Sequence, residues 1–435
     1  MKIKLTVICS LSLLSVITYG QDNTVQKLSL QEALSLALEN HQQLKLAKSK
    51  VDLSEDKIKD SKLEQLPTIE FSANAYYLSK AILLSPSFKK EGSFDMPPFG
   101  NGYALQASQL LYKGGVLKKS VEMSELQTQL SELDFEKDKQ SIKFLVVSNY
   151  LDIYKLLNQR KVLMQNKKLV EQRLANITKL YEQDMVTRNE IIRAQLQIKG
   201  LEQNIVVLDN NHAILSNRMS YALGLPHDVV IEPTENISNP DVGGLMDYIQ
   251  LAQKNNPSVL AAGKNISIAE KHVEIIKTER YPALSAFAGY NLARPITQVL
   301  PPVDMYSGVW QAGLAVHYNI DNLFKTKQKI KTGAMQTEVA RNAFELNRQN
   351  VEMDITAAYK KHQESVKQAK LMRDAQQLAN ENYNIVEAKY LNQLAITAEM
   401  TDAATAKLDT ELQYANAEIN VLFQYYNLLK STGTL

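Results

Sequence analysis

The sequence predicts a mostly helical chain of mixed α and β class, an internal tandem duplication whose four strands per chain contribute to a shared transmembrane β-barrel. Three observations predict it. The first is a repeat: sliding the sequence by 215 positions superposes Leu36, Ala37, Asn40, Glu55 and Pro67 on Leu251, Ala252, Asn255, Glu270 and Pro282 without a gap. Past the next loop the offset becomes 209 and pairs Leu105, Tyr150, Tyr181, Glu202 and Gly224 with Leu314, Tyr359, Tyr390, Glu411 and Gly433. A period this long marks a duplicated half-molecule, and the six missing residues fall in a loop that tolerates deletion. The second is punctuation: 435 residues contain only 16 glycines and 12 prolines, so the helices are long. The third is strict apolar and polar alternation in four short segments, the period of strands with one greasy and one wet face.

The elements follow in order. Residues 1–20 carry Lys2 and Lys4, an apolar run from Leu5 to Ile17, then Thr18 and Gly20, which reads as a cleavable secretory signal. Cys9, the only cysteine, lies in that run, so the mature chain has none. Removing Lys2 and Lys4 leaves 47 basic against 47 acidic residues, a balance that gives no reason to expect a nucleic-acid partner. The first repeat spans 21–226. Leu34, Leu38, Leu44, Val51 and Ile58 predict one helix over 31–66, stopped by Pro67. A strand over 68–77 puts Ile69, Phe71, Ala73, Ala75 and Tyr77 on one face, and a loop with Pro97 and Pro98 leads to a second strand over 103–112. From Val116 to Tyr181 there is no proline or glycine, and Leu163, Val170, Leu174 and Ile177 step three and four apart as in a coiled-coil seam. A tip over 182–188 precedes a helix to 223, and a polar linker covers 227–244. The second repeat, 245–435, follows the same plan: a helix to Arg280, strands over 284–292 and 309–320, a helix to 390, a tip over 391–398 and a last helix to 428. About 70 helical residues at roughly 1.5 Å each predict a rod on the order of 100 Å.

No apolar run after the signal reaches eighteen residues, so a helical span is not expected. Strands of about ten residues do match an outer-membrane crossing. Four strands cannot close a barrel and lipid tolerates no open edge, so two, three or four chains combine to give eight, twelve or sixteen strands. The lipid-facing strand residues are then Ile69, Phe71, Trp310, Leu314 and Tyr318. An exported coiled-coil protein or surface adhesin would account for the rods but not for two hairpins placed alike in both halves.

The duplicated order of helix, two strands, helix, tip and helix resembles the TolC-type outer-membrane efflux proteins, the outer membrane factors, over essentially the whole mature chain. Its local marks are Leu66-Pro67 and Tyr281-Pro282 entering strands, Leu111 to Gly115 leaving one, and Tyr221 to Pro226. The resemblance implies a homotrimer with a helical periplasmic tube continuous with a twelve-strand barrel in outer-membrane lipid. It also implies a periplasmic adaptor protein joining the channel to an inner-membrane transporter, so that the chain is the passive duct of a tripartite efflux or type I secretion system.

Six scattered histidines with no paired spacing, and no phosphate loop, nucleophile elbow or cysteine cluster, give no enzyme, cofactor or metal reading. The remaining signal is at the tips. Glu399 and Asp402, three apart, share one helical face. Against the family's tip motif they match the acidic residues that ring the closed periplasmic mouth, with Glu190 and Arg193 as first-half equivalents and Tyr390 set against Glu190. By the same resemblance Tyr181, Asp184, Thr187, Gln393 and Ile396 form the tip surface for adaptor contact. The motif's glycine three residues after the tyrosine is replaced by Asp184 and Gln393; Asp tolerates a left-handed turn better than Gln does.

Overall fold

A computed structural model describes residues 25–226, 229–234, 242–299 and 301–435. The signal-type segment at 1–20, Cys9 and part of the 227–244 linker lie outside them. The described elements are β1 (Val25–Leu28), α1 (Leu30–Asn40), α2 (Gln42–Leu63), β2 (Thr68–Tyr77), β3 (Ala81–Leu84), β4 (Lys90–Phe94), β5 (Phe99–Tyr112), α3 (Val116–Tyr181) and α4 (Arg188–Leu223). Then come β6 (Val230–Pro233), α5 (Leu245–Asn255), α6 (Pro257–Thr278), β7 (Ala283–Arg294), β8 (Ser307–His317), α7 (Asn322–Leu391) and α8 (Thr397–Thr432). No described helix is long and apolar enough to cross a membrane.

The duplication extends to the atoms that start and stop helices. At α1, Ser29 Oγ accepts from the Glu32 amide at 3.2 Å while Glu32 Oε2 accepts from the Ser29 amide at 2.8 Å, a reciprocal cap. The Ser29 amide and hydroxyl, both donating to Glu32 Oε2, hold that carboxyl below its ordinary pKa. At the matching position of α5, the Gly244 amide donates to Asp247 Oδ2 at 3.1 Å. Helix exits repeat as well. Gly224 and Gly433 both adopt positive φ, 70° and 77°. A Cβ on Gly224 would sit 2.6 Å from Asn40 Cβ, and one on Gly433 2.8 Å from the Asn255 carbonyl, so each exit glycine is pressed against the same repeat position.

Several predicted elements are corrected. The single helix expected over 31–66 is broken at His41 and the one over 245–280 at Asn256, both with extended backbone. In the second half the cause is visible: Asn256 Oδ1 accepts from the Ser258 amide at 2.9 Å and Pro257 opens α6, so the asparagine caps a new helix. The 103–112 strand begins at Phe99, the 284–292 strand covers Ala283–Arg294, and the last helix runs to Thr432. The 309–320 strand covers only Ser307–His317, because its partner β7 starts at Ala283, just after Pro282, and His317 pairs with Ala283. Tyr318 is therefore outside the strand, half-buried, and not a lipid-facing strand residue; Ile320 already accepts the Leu323 amide in the turn into α7. The loop after β2 holds the β3–β4 hairpin, and the linker holds β6, which pairs in parallel with β1.

The chain divides into two compact units. One comprises residues up to His41, Leu145–Asn239 and Ser365–Phe423. Its long helices pack as a seam in which Leu163 and Val170 of α3 meet Ile198, Leu201 and Ile205 of α4, with Leu408 and Leu412 of α8 against them. The seven-residue step from 163 to 170 to the buried Ile177 is the coiled-coil repeat expected from sequence. Polar links cross the same packing: Gln159 Nε2 donates to Asn416 Oδ1 at 2.7 Å and Asn166 Nδ2 to Glu411 Oε2 at 2.8 Å. The fully buried Tyr150 donates its hydroxyl to the Leu28 carbonyl at 3.0 Å, tying α3 to β1.

The other unit comprises Gln42–Phe144, Pro240–Glu364 and Gln424–Leu435. It holds an antiparallel sheet in the order β2-β5-β7-β8, and a helical core in which Ile249 and Ala252 of α5 pack on Ile355 and Ala358 of α7 and Leu428 of α8. Register decides the faces of the sheet. Phe71, Leu105, Tyr290 and Trp310 are successive cross-strand partners, and so are Ile69, Ala107, Ala288 and Ala312, which makes one continuous apolar face. The opposite face carries Thr68, Glu70, Ser72 and Asn74 beside Ser108, Gln106, Asn291 and Gln311. The apolar face is open, with Trp310 77% exposed, and the outer edges of β2 and β8 have no strand partner among the described residues.

Candidate functional site at the helical tips

The two tips share one backbone solution. After α3 the Asp184 amide donates to the Tyr181 carbonyl at 3.0 Å and the Met185 amide to the Leu180 carbonyl at 2.9 Å. After α7 the Gln393 amide donates to the Tyr390 carbonyl at 3.0 Å and the Leu394 amide to the Lys389 carbonyl at 2.8 Å. Both are Schellman ends, and both place a residue other than glycine in the left-handed region, with φ 57° at Asp184 and 61° at Gln393. The tip turns left-handed at both positions despite the replaced glycines, because the paired amide bonds and the seam below hold it there.

Five side chains named from sequence surround the turns. Tyr181, Asp184, Thr187, Gln393 and Ile396 are all exposed, and Thr187 is the N-cap of α4 without a side-chain cap bond. Their backbones are tied into the turns, and their side chains lie at the surface.

Of the charged residues, Glu399, Asp402 and Arg193 are exposed, whereas Glu190 and Tyr390 are half-buried. Glu399 Oε2 accepts from the Ile396 amide at 3.3 Å, so this carboxylate caps α8 as well as lying at its surface. Glu190, Arg193 and Tyr390 line one groove of about 290 Å³, with Arg173, Gln197 and Thr397 on its other sides. Within it Tyr390 and Glu190 do not hydrogen-bond: the Tyr390 hydroxyl takes a long 3.5 Å contact from Thr397 Oγ1, and Glu190 Oε2 is buried without a hydrogen-bond partner.

Sequence reasoning missed Arg173, whose guanidinium donates to Gln197 Oε1 and reaches the groove from α3. Its burial lowers the pKa from the ordinary arginine value, against the charges of Tyr383, Tyr390, Glu387 and Glu190. Burial likewise pushes the Tyr383 phenol up to about 12, helped by its 2.9 Å bond to Glu387 Oε1. An arginine on an otherwise coiled-coil stretch carries no signal in sequence that it faces inward. The groove brings arginines and a carboxylate together, and among the described residues no cluster of histidines, cysteines and carboxylates could hold a metal.

The same architecture is found in known proteins. The family described as outer membrane efflux protein matches residues 33–225 and 248–434, one segment for each repeat. The chain belongs to this family. Among solved structures, the outer-membrane channel OprN superposes with a TM-score of 0.76 at 14% identity, over 93% of this chain and 90% of that one. CusC, described by its transmembrane channel formation, gives 0.76 at 14% identity over 93% and 92%. The outer membrane protein VceC of Vibrio cholerae gives 0.74 at 13% identity over 93% and 96%. A search among curated proteins gives no significant match. The chain is thus an outer membrane efflux protein by family, and it shares its fold with these outer-membrane proteins.

Proposed function

We propose that this outer membrane efflux protein works as a homotrimer, a passive, water-filled export duct closed at its helical tips and opened there by a periplasmic adaptor coupled to an inner-membrane pump. The observation that carries the proposal is the four-stranded sheet with one continuous apolar face, one polar face and two free edges. In lipid each edge needs a partner, and copies of the same chain supply it: β8 of one chain pairs with β2 of the next, and three chains close twelve strands. The polar face then lines the lumen and Ile69, Phe71, Trp310 and Leu314 meet lipid. Energy comes from the inner-membrane pump, since the chain has no nucleotide-binding motif of its own.

At the tips, threefold symmetry brings three copies each of Glu399 and Asp402 together at the mouth, with Arg193 as counter-charge from the first repeat. Glu190, whose Oε2 is buried with no hydrogen-bond partner in the chain, meets the Tyr390 hydroxyl across neighbouring coils when the mouth closes. The adaptor contacts Tyr181, Asp184, Thr187, Gln393 and Ile396. Two measurements test this reading together. Native mass spectrometry of protein extracted from the outer membrane should give three copies, and a photo-crosslinking residue at Gln393 or Asp184 should capture a periplasmic adaptor. A monomer in the membrane fraction, or crosslinks only to peptidoglycan or to nothing, overturns it.

A further inference from the structure

The β3–β4 hairpin lies beyond the sheet and is apolar where water would surround it. Cross-strand pairing puts Ile82 and Leu84 on one of its faces, opposite Ser93 and Lys90, and both are exposed. At its turn the Phe88 amide donates to the Ser85 carbonyl at 2.9 Å and the Ser85 amide to the Lys89 carbonyl at 2.8 Å. This closure puts Phe88 in the left-handed region, φ 61°, where a residue with a bulky side chain is strained, and leaves its ring 86% exposed. A strained aromatic held fully outward is not explained by packing within the chain. Lys89 and Lys90 follow it directly, exposed and without an ion pair among the described residues; the hairpin's other lysine, Lys80, is held by Asp95 at 2.8 Å.

The position of the hairpin says what meets it. Tyr77 and Phe99 are cross-strand partners at the end of the sheet, on the same face as Ile69 and Phe71. Their rings stack edge to face at 5.8 Å and are 71% and 72% exposed. Paired aromatics at the end of an apolar barrel face mark the lipid–water boundary. β3 begins four residues after Tyr77, and the chain returns to the sheet at Phe99, so the hairpin stands at headgroup level. We propose that this hairpin is a lipid anchor: Phe88, Ile82 and Leu84 enter the outer leaflet while Lys89 and Lys90 bind its phosphate groups. Apolar side chains with adjacent lysines are the composition that interfacial binding to anionic lipid requires. The proposal rests on the outer-membrane placement of the chain and not on its number of copies or on conduction.

Nitroxide labels at Phe88→Cys and, separately, Ile82→Cys would test it in protein reconstituted into vesicles of phosphatidylethanolamine and lipopolysaccharide. Phe71→Cys serves as the lipid reference and Lys161→Cys, exposed on α3, as the water reference. Collision with oxygen against a water-soluble nickel chelate reads depth. The expected result is high oxygen and low nickel collision at both hairpin positions, close to the Phe71 reference, with nickel collision at 88 rising at least twofold when Lys89→Gln and Lys90→Gln are added. Nickel collision equal to that at Lys161 places the hairpin in water and overturns the proposal. Protection from both reagents means that protein covers it, which overturns it in favour of a contact between copies. Unchanged depth in the lysine variant removes the phosphate half of the claim.

Discussion

At the first tip α4 opens with Glu190 and Arg193; at the second, α8 opens with Glu399 and Asp402 at the same repeat positions. The backbone turn before them is duplicated in its left-handed residue and in the two amides that fix it. The charge is not duplicated. The first tip half-buries its glutamate beside arginines, while the second exposes both carboxylates and uses one to cap its helix. The two hairpins differ in a parallel way. The loop of the first builds β3 and β4 and leaves Lys89 and Lys90 without an ion pair among the described residues, whereas in the second Arg294 is clamped by Asp304 at 2.7 and 2.9 Å and rests over the Tyr306 ring. Positions that set chain direction are held in both copies, and charge has diverged where an element ends. Those ends are where contact with something outside the chain is expected.

The largest expected effect tests whether the halves are equivalent where they should be. Leu105 and Leu314 occupy matching positions on the apolar face. Leu105→Arg and Leu314→Arg should each cost about 2–4 kcal/mol at the bilayer midplane and sharply reduce trimer recovery on semi-native gels. Gln311→Arg, on the other face, should be mild. Equal sensitivity of the two faces would show that the sheet does not divide lipid from lumen.

Next in size is the divergence at the tips. Like charges about 4 Å apart repel by roughly 4 kcal/mol at an effective dielectric of 20, so six carboxylates at the mouth should select cations and bind trivalent ones. Glu399→Gln with Asp402→Asn should lower cation selectivity and abolish block by trivalent cations from the periplasmic side. Glu190→Gln with Arg193→Gln, which removes one charge of each sign, should change selectivity far less. If the two double variants behave alike, the mouth does not distinguish the repeats. Because Glu399 also caps α8, the first variant should lose about 1 kcal/mol of local stability, visible as faster hydrogen exchange at the start of that helix.

Tyr390→Phe removes the hydroxyl that shares the groove with the buried, unpartnered Glu190 oxygen, and should bias the mouth toward opening by about 1 kcal/mol, read as a higher open fraction in single-channel records. Tyr181→Phe, on the exposed first tip, should leave the open fraction unchanged. Gln393→Gly should relieve left-handed strain by about 1 kcal/mol and raise the melting temperature slightly, with Asp184→Gly giving less because Asp tolerates that conformation. A loss of stability at Gln393→Gly would mean its side chain, not its backbone, holds the turn.

Much of the frame is legible in the sequence because it rests on periods: two for strands, seven for the seam from Leu163 to Ile177, and the long repeat. What failed did so for local reasons. The break at His41 is followed by no proline, yet the repeat sets His41 against Asn256, where Asn256-Pro257 announces it, so the second copy could have informed the first. β8 stops before Tyr318 because Pro282 ends its partner, a relation between strands that alternation within one strand does not contain. β1, β6 and the β3–β4 hairpin are four or five residues long, too short for a period to register. At the tips the sequence marked Glu190, Tyr390, Glu399 and Asp402, but which of them is buried depends on how α3, α4, α7 and α8 pack. Arg173, which lines the groove from the last turns of α3, was invisible for the same reason.

The claim that this protein is a duct closed at its tips is tested most directly by single-channel conductance of the purified protein in planar bilayers. The wild type should give small, cation-selective, ohmic steps, and the Glu399→Gln, Asp402→Asn, Tyr390→Phe triple variant should give larger steps with weaker selectivity. Inserted, trimeric protein that conducts no ions in either form, or whose conductance and selectivity are untouched by the three substitutions, would contradict it.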